Sequence, residues 1–346
     1  MKKSLLALAV LTAFAGAASA QSSVTLYGKI DLGGVLESGS AKGKVVRIST
    51  GVTGGSRLGF KGVEDLGGGL KAGFQIETGF CADSNTNNAG TNPNFCTGGN
   101  NFGGRQSHVD LVGNFGAVTL GRQYTLAFIN LTTIDPFGTG LAGQTTNLFD
   151  SAGSGAGNPR VNNSAIYTTP NLNGFQAAAL VAFGETQGDW RTGRANGLSA
   201  TYASGPLYLG AAYHSVNGTA GVLGRKNTNF GGTYDLGAVK VHALMQSTKA
   251  AAAPYKDTRD SLLGLSAPVG NGTVLASIIK HDDRTVADQN ANQIGVGYMY
   301  ALSKRTSVYS AFARIKNEHG ATFTVGNATD AGTGNKAFDL GVVHNF

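Results

Sequence analysis

The chain has 346 residues, 53 of them glycine but only two cysteine and three methionine, and its 41% hydrophobic content is dispersed rather than clustered. After residue 20 no apolar run approaches the ~18 residues of a transmembrane helix, and no basic block with interleaved aromatics accompanies the formal charge of +7, so a helical membrane span and a nucleic-acid partner are both excluded. An all-β chain remains, with a cationic surplus suited to an anion-attracting cavity.

Residues 1–20 read as a signal peptide. Lys2 and Lys3 precede a short apolar stretch from Leu5 to Phe14, and Ala18-Ser19-Ala20 supplies a cleavage site. The exported part, residues 21–346, is expected to form a single domain with a formal charge of 7 − 2 = +5.

From there the chain repeats one unit, a segment of roughly ten residues with strict two-residue alternation. Leu26, Gly28, Ile30 and Leu32 oppose Thr25, Tyr27, Lys29 and Asp31. Leu58 and Phe60 oppose Arg57, Gly59 and Lys61; Leu70, Ala72, Phe74 and Ile76 oppose Lys71, Gly73, Gln75 and Glu77. Val109 and Leu111 oppose His108 and Asp110, and Val241, Ala243 and Met245 oppose His242, Leu244 and Gln246. Ile294, Val296 and Tyr298 oppose Gln293, Gly295 and Gly297, and the last segment sets Phe338, Leu340, Val342, His344 and Phe346 against Asp339, Gly341, Val343 and Asn345.

The connections alternate between two sizes. Seven short turns use Gly, Asn, Asp or Pro, as in Asp65-Leu66-Gly67-Gly68, Asn114-Phe115-Gly116 and Ser204-Gly205-Pro206. Eight longer polar stretches lie near 38–50, 81–103, 124–160, 186–193, 217–225, 249–257, 283–291 and 317–335. Fifteen connections require sixteen strands, and loops sorted by length to two ends are the pattern of a transmembrane β-barrel, with short periplasmic turns and long extracellular loops. In hydrocarbon every backbone N–H and C=O needs a partner, which forces the antiparallel sheet to close. A barrel of this size is too wide for side chains to fill, so its lumen is expected to hold water.

At several of these segments the sequence resembles the general Gram-negative porins, in particular their β-proteobacterial trimeric branch. The resemblance is carried by Ser23-Val24-Thr25-Leu26-Tyr27-Gly28, by Ser56-Arg57-Leu58-Gly59-Phe60-Lys61-Gly62 with Glu64-Asp65-Leu66-Gly67-Gly68-Gly69-Leu70 after it, by Leu120-Gly121-Arg122, by Leu302-Ser303-Lys304-Arg305-Thr306 and by the terminal Phe346, in that order along the exported chain. It implies an outer-membrane channel for passive diffusion of small hydrophilic solutes and ions. It further implies a homotrimer seated among outer-membrane lipid and lipopolysaccharide, and delivery by the outer-membrane assembly machinery. A channel specific for one solute, such as phosphate or an organic acid, is the second reading. No nucleophile motif such as G-x-S-x-G is present, and neither an enzyme nor a cofactor is expected.

The resemblance also implies that the third long loop, about 124–160, folds inward and narrows the pore. Asp135-Pro136-Phe137-Gly138 looks like a variant of the family's P-E-F-G-G motif that lacks the glutamate, which removes a lumen carboxylate. Carried over by motif, the arginines of the constriction are Arg57, Arg105, Arg122 and Arg160, faced by Glu77 and Asp110 on the wall and by Asp135 and Asp150 in the loop. Arg122 shares the lipid-facing parity of Val118 and Leu120, so a bulge, or a place beyond the lipid band, is needed to turn it inward. Arginine in excess predicts a modest anion preference.

Cys81 and Cys96 lie in the second long loop of an exported chain, where a disulfide is expected, stabilising by about 3 kcal/mol in the chain-entropy model. The histidines show no metal-ligand spacing, and Asp282-Asp283 reads as solvated loop. Gly332-Thr333-Gly334-Asn335-Lys336 lacks phosphate-loop spacing. Tyr27, Phe74, Tyr213, Tyr298, Tyr309 and Phe346 are candidates for the aromatic girdles of a barrel. Phe346 also resembles the family's sorting signal.

Overall fold

A computed structural model describes residues 23–83, 102–151, 159–218, 223–251 and 255–346. The expected signal peptide therefore lies outside the described residues. The strands are β1 (Ser23–Ser40), β2 (Gly43–Thr50), β3 (Arg57–Gly67), β4 (Leu70–Gly79), β5 (Gln106–Gly113), β6 (Gly116–Tyr124), β7 (Arg160–Thr168), β8 (Phe175–Ala182) and β9 (Ala195–Ser204). They continue as β10 (Leu207–Asn217), β11 (Leu223–Asp235), β12 (Lys240–Ala250), β13 (Lys256–Val269), β14 (Gly272–Asp283), β15 (Ala291–Ala301), β16 (Thr306–Asn317) and β17 (Lys336–Asn345). One helix, α1 (Leu126–Ile134), lies between β6 and β7.

Consecutive strands pair antiparallel except β2 with β3, and β17 returns to β1 with Lys29 opposite Asn345 and Ser38 opposite Lys336, so the sheet closes. The opposite edge of β1 is shared. Its first half pairs with β3, from Ser23–Val63 to Lys29–Arg57, and its second half pairs with β2, from Leu32–Thr50 to Ser40–Gly43. The segments β2 and β3 are thus one wall strand interrupted at 51–56, and the seventeen segments make a sixteen-stranded barrel. The first expected long loop, 38–50, is corrected here: it is a tight hairpin in which β2 itself occupies residues 43–50. Its polar residues, Lys44, Arg47, Ser49 and Thr50, mimic loop composition, while Val46 and Ile48 keep the outward apolar parity.

The alternation reads out as two faces. Leu58, Phe60, Met245, Ile294, Val296, Phe338, Leu340 and Val342 are exposed on the outer surface, whereas Asp31, Glu77, His242, Gln246, Gln293 and Asp339 are buried inside. Two of the six girdle candidates depart from this scheme. Tyr27 and Tyr309 point inward, where their hydroxyls donate to Glu77 Oε2 at 3.0 Å and to Asp31 Oδ1 at 2.7 Å. A phenol with a carboxylate in reach gains more from that bond than from an interfacial position.

Only part of the lumen is open. Inward side chains of β12–β16, including Leu244, Leu262, Leu275, Ile279 and Ile315, form an apolar cluster with Leu131, Ile134, Phe137, Leu141, Leu148 and Phe149 of the third loop. Full burial of such a side chain contributes roughly 1.5–3 kcal/mol. Loop and wall are thereby fused into one hydrophobic body within the barrel.

Candidate functional site

The third loop starts at the end of β6. The Thr125 hydroxyl accepts from the Phe128 amide and caps α1, and the helix runs along the inner wall. Asn130 donates to Asn229 of β11, whose amide in turn donates to the Ala127 carbonyl. His242 of β12 bonds the Ile134 carbonyl at the helix end. Farther on, Gln293 of β15 donates to the carbonyls of Gly143 and Gln144 at 3.1 Å. The wall is shaped for this approach. A Cβ at Gly264 would stand 2.7 Å from Pro136 Cγ, and one at Gly295 would stand 2.8 Å from Gly143 Cα. The loop tip returns across the lumen, and the Leu141 amide donates to the Val52 carbonyl in the interruption between β2 and β3.

Opposite the loop, three of the four expected arginines converge. A cavity of about 500 Å³ is lined by Arg57, Arg105, Arg160 and Tyr124 on one side and by Phe128, Ile129, Thr132, Thr139 and Gln144 on the other. The Tyr124 hydroxyl accepts from Arg105 Nη2 at 2.8 Å and from Arg160 Nη2. The Arg160 guanidinium lies over the Tyr124 ring, 4.2 Å from its centroid, and that ring stacks on Phe128 of α1 at 5.2 Å. Behind this layer Arg105 Nε donates to Glu77 Oε1 at 2.7 Å, and Arg57 Nη1 lies 3.8 Å from the same oxygen. Glu77 is itself only 3% exposed, so it orients the arginines from behind and offsets part of their charge without lining the cavity.

The remaining expected residues are elsewhere. A register shift between Gly121 and Gln123 does place a bulge at Arg122. Its guanidinium nevertheless stays with the wall, donating to the Gly104 carbonyl at 2.7 Å and to Asn162, and it is absent from the cavity lining. Asp110 faces the lumen nearer the short-turn end, beside Lys61 and Lys71, and bonds His108 at 3.1 Å. Asp135 is buried in the loop, where its carboxylate accepts from the amides of Phe137, Thr139 and Thr145 and from the Thr145 hydroxyl. Burial pushes this carboxyl up from the usual carboxylate range, while those donors pull it down. Asp150 is paired with Arg225 and, at 3.4 Å, with Lys256. Neither loop acid lines the cavity, which corrects the expected arrangement of opposed charges across the gap. Loop carboxylates in this fold serve the loop's own backbone or nearby wall cations. Cys81 is disulfide-bonded, and Cys96 lies outside the described residues.

Several lining groups had no forecast. Thr53, Gly54 and Gly55 come from the interruption between β2 and β3, and Ala328 and Thr329 from the last long loop, held in place by Thr329 Oγ1 donating to the Thr50 carbonyl. Lys29 Nζ donates to Thr53 Oγ1 at 2.7 Å, at the edge of the arginine layer. Its inward parity with Tyr27 and Asp31 was the available signal.

The family model described as Gram-negative porin matches residues 7–320. The chain is 38% identical to outer membrane porin protein 32 of Delftia acidovorans, over 100% of both chains. It is 32% identical to an outer membrane porin protein of Bordetella pertussis, over 92% of this chain and 95% of that one. Among solved structures, an anion-selective porin from Comamonas acidovorans superposes with a TM-score of 0.80 at 34% identity, covering 94% of this chain and 100% of that one.

Proposed function

Since this chain belongs to the Gram-negative porin family and is an outer-membrane porin rather than an enzyme, we propose that its channel prefers anions. The observation that carries this is the composition of the cavity between the third loop and the wall. Arg57, Arg105 and Arg160 face it, and no carboxylate is among its lining residues. An aqueous gap walled by three fixed guanidinium groups, with one buried carboxylate behind them, keeps a cationic surplus that attracts anions and raises their local concentration, while cations meet a barrier. The hydroxyls and amides across the gap give a permeating anion donors in place of part of its hydration shell. The anion selectivity of the structurally similar Comamonas porin supports the same reading. Planar-bilayer recording in a salt gradient tests it. A reversal potential of the sign for anion permeation is expected, and a potential of the opposite sign overturns the proposal.

The proposal extends to a homotrimer. Among the described residues β2 pairs with β1 alone, and Val46 and Ile48 on it are 77% and 63% exposed, so apolar surface and a strand edge are both available beside β1. Light scattering of the detergent-solubilised protein, corrected for bound detergent, should give three chains per particle; a single chain overturns this extension.

A further inference from the structure

Helix α1 has two faces at helical spacing. Leu126, Ala127, Asn130, Leu131 and Ile134 are buried. Phe128, Ile129, Thr132 and Thr133 lie on the other side and line the cavity beneath the arginines. A helix set between a wall and water calls for polar residues on its wet side, and the two threonines supply them. Phe128 is accounted for by its stack on Tyr124. Ile129 has no such account. It is 47% exposed and stands outside the apolar clusters of the described residues. Being β-branched, it is also a weaker helix former than leucine or alanine. Neither packing nor helix propensity asks for an isoleucine at this position.

The cavity, at about 500 Å³, is of the size that holds small organic molecules. Its two sides differ in kind. Arg57, Arg105 and Arg160 present forked donors that match the two oxygens of a carboxylate. Phe128 and Ile129 present hydrocarbon. An inorganic anion can use only the first side. A carboxylate that carries a compact apolar body can use both, keeping its charge on the guanidinium groups while its body displaces water from Ile129. We propose that Ile129 is a specificity-determining residue, through which the channel holds carboxylates with an aromatic or branched hydrocarbon body in preference to inorganic anions and to acetate. This rests on the anion preference proposed above and names the solute class within it.

Planar-bilayer recording of the full chain at neutral pH tests it. The sign of the reversal potential in a potassium chloride gradient is read first. Sodium benzoate or sodium acetate is then added, and the concentration that halves the chloride current is measured for each. Benzoate should halve it at about fivefold lower concentration than acetate, the factor expected for covering roughly half of an isoleucine side chain. Benzyl alcohol, which has the ring without the charge, should not block. In Ile129→Ser the benzoate advantage should fall to near one, and in Ile129→Leu it should persist. The ratio is taken within each variant, so a change in conductance common to both acids cancels. A cation-type potential in chloride alone overturns the anion reading and this one with it. With an anion-type potential, equal block by the two acids in the parent overturns this proposal alone. So does an undiminished benzoate advantage in Ile129→Ser, or block by benzyl alcohol as strong as by benzoate.

Discussion

The Tyr124 hydroxyl accepts hydrogen bonds from both Arg105 and Arg160, and its ring lies between the Arg160 guanidinium and Phe128 of the inward loop. One residue at the end of β6 thus joins Arg105, just before β5, and Arg160 of β7 to the helix that faces them. Tyr124→Phe keeps the stack and removes both bonds. At about 1.5–3 kcal/mol for each bond to a charged donor, less what water restores, a loss of roughly 1–3 kcal/mol is expected. Denaturant unfolding followed by tryptophan or circular-dichroism signal measures it, and the sign of ion selectivity should be retained.

Arg57→Ser combined with Arg105→Ser removes two of the three lining cations and should move the reversal potential in a salt gradient toward that of a cation-permeable pore. An unchanged potential would mean that these side chains do not govern the permeating ion. Arg122→Ser is the internal control, because its guanidinium is bonded to Gly104 and Asn162 outside the lining; selectivity should not change.

Glu77 lies behind the arginines, and its replacement separates fold from filter. Glu77→Gln leaves Arg105 and Arg57 without their buried countercharge, which costs about 3–5 kcal/mol when a buried pair is broken. The surviving channels should be more anion-selective than the parent. A variant of unchanged stability would place Arg105 in a more hydrated setting than its 6% exposure implies.

Gly295 and Gly264 permit the loop to lie flat on the far wall. Gly295→Leu should push the segment around Gly143 toward the arginines and lower single-channel conductance without altering the charge of the pore. Asp135→Ala, which removes the acceptor for four loop donors, should instead loosen the loop and give noisy, variable conductance.

Phe346 exchanges two backbone bonds with Gly28, at 3.0 and 3.1 Å, at the point where the last strand meets the first. Deleting it should lower the yield of protein in the outer membrane, as measured by fractionation and heat-modifiable gel mobility. Normal yield would remove both its closure role and its expected sorting role.

The barrel is legible because oil and water meet every strand on opposite sides, and that imposes a period of two on the sequence that no local context hides. Leu58 against Arg57, or Leu340 against Asp339, is sufficient to assign a face. The 43–50 segment reads as loop because a strand near the loop end of a barrel tolerates an outward Lys44, and because Arg47 faces inward, where Glu37 and Asp330 pair with it. Arg57, Arg105 and Arg160, carried over by motif, line one cavity, whereas Arg122, which parity set apart, does not. The acids are harder to place, since sequence shows that Asp135 and Asp150 are in the loop but not which partners claim them: Thr145 and the loop amides for the one, Arg225 and Lys256 for the other. The half-filled lumen leaves a trace in the inward parity of Leu244 and the matching apolar character of Leu131 and Ile134, although that pairing needs the fold to bring residues more than a hundred positions apart into contact.

Because the inward loop is bonded to β11–β15 while the arginines spring from the opposite arc, the width of the filter is fixed by the circumference of the cylinder and not by either partner alone. A channel built this way can exchange the residues of its outward-facing loops, under pressure from whatever recognises the cell surface, and still pass the same ions. Inserting or deleting a hairpin on either arc would alter what passes without changing one charge.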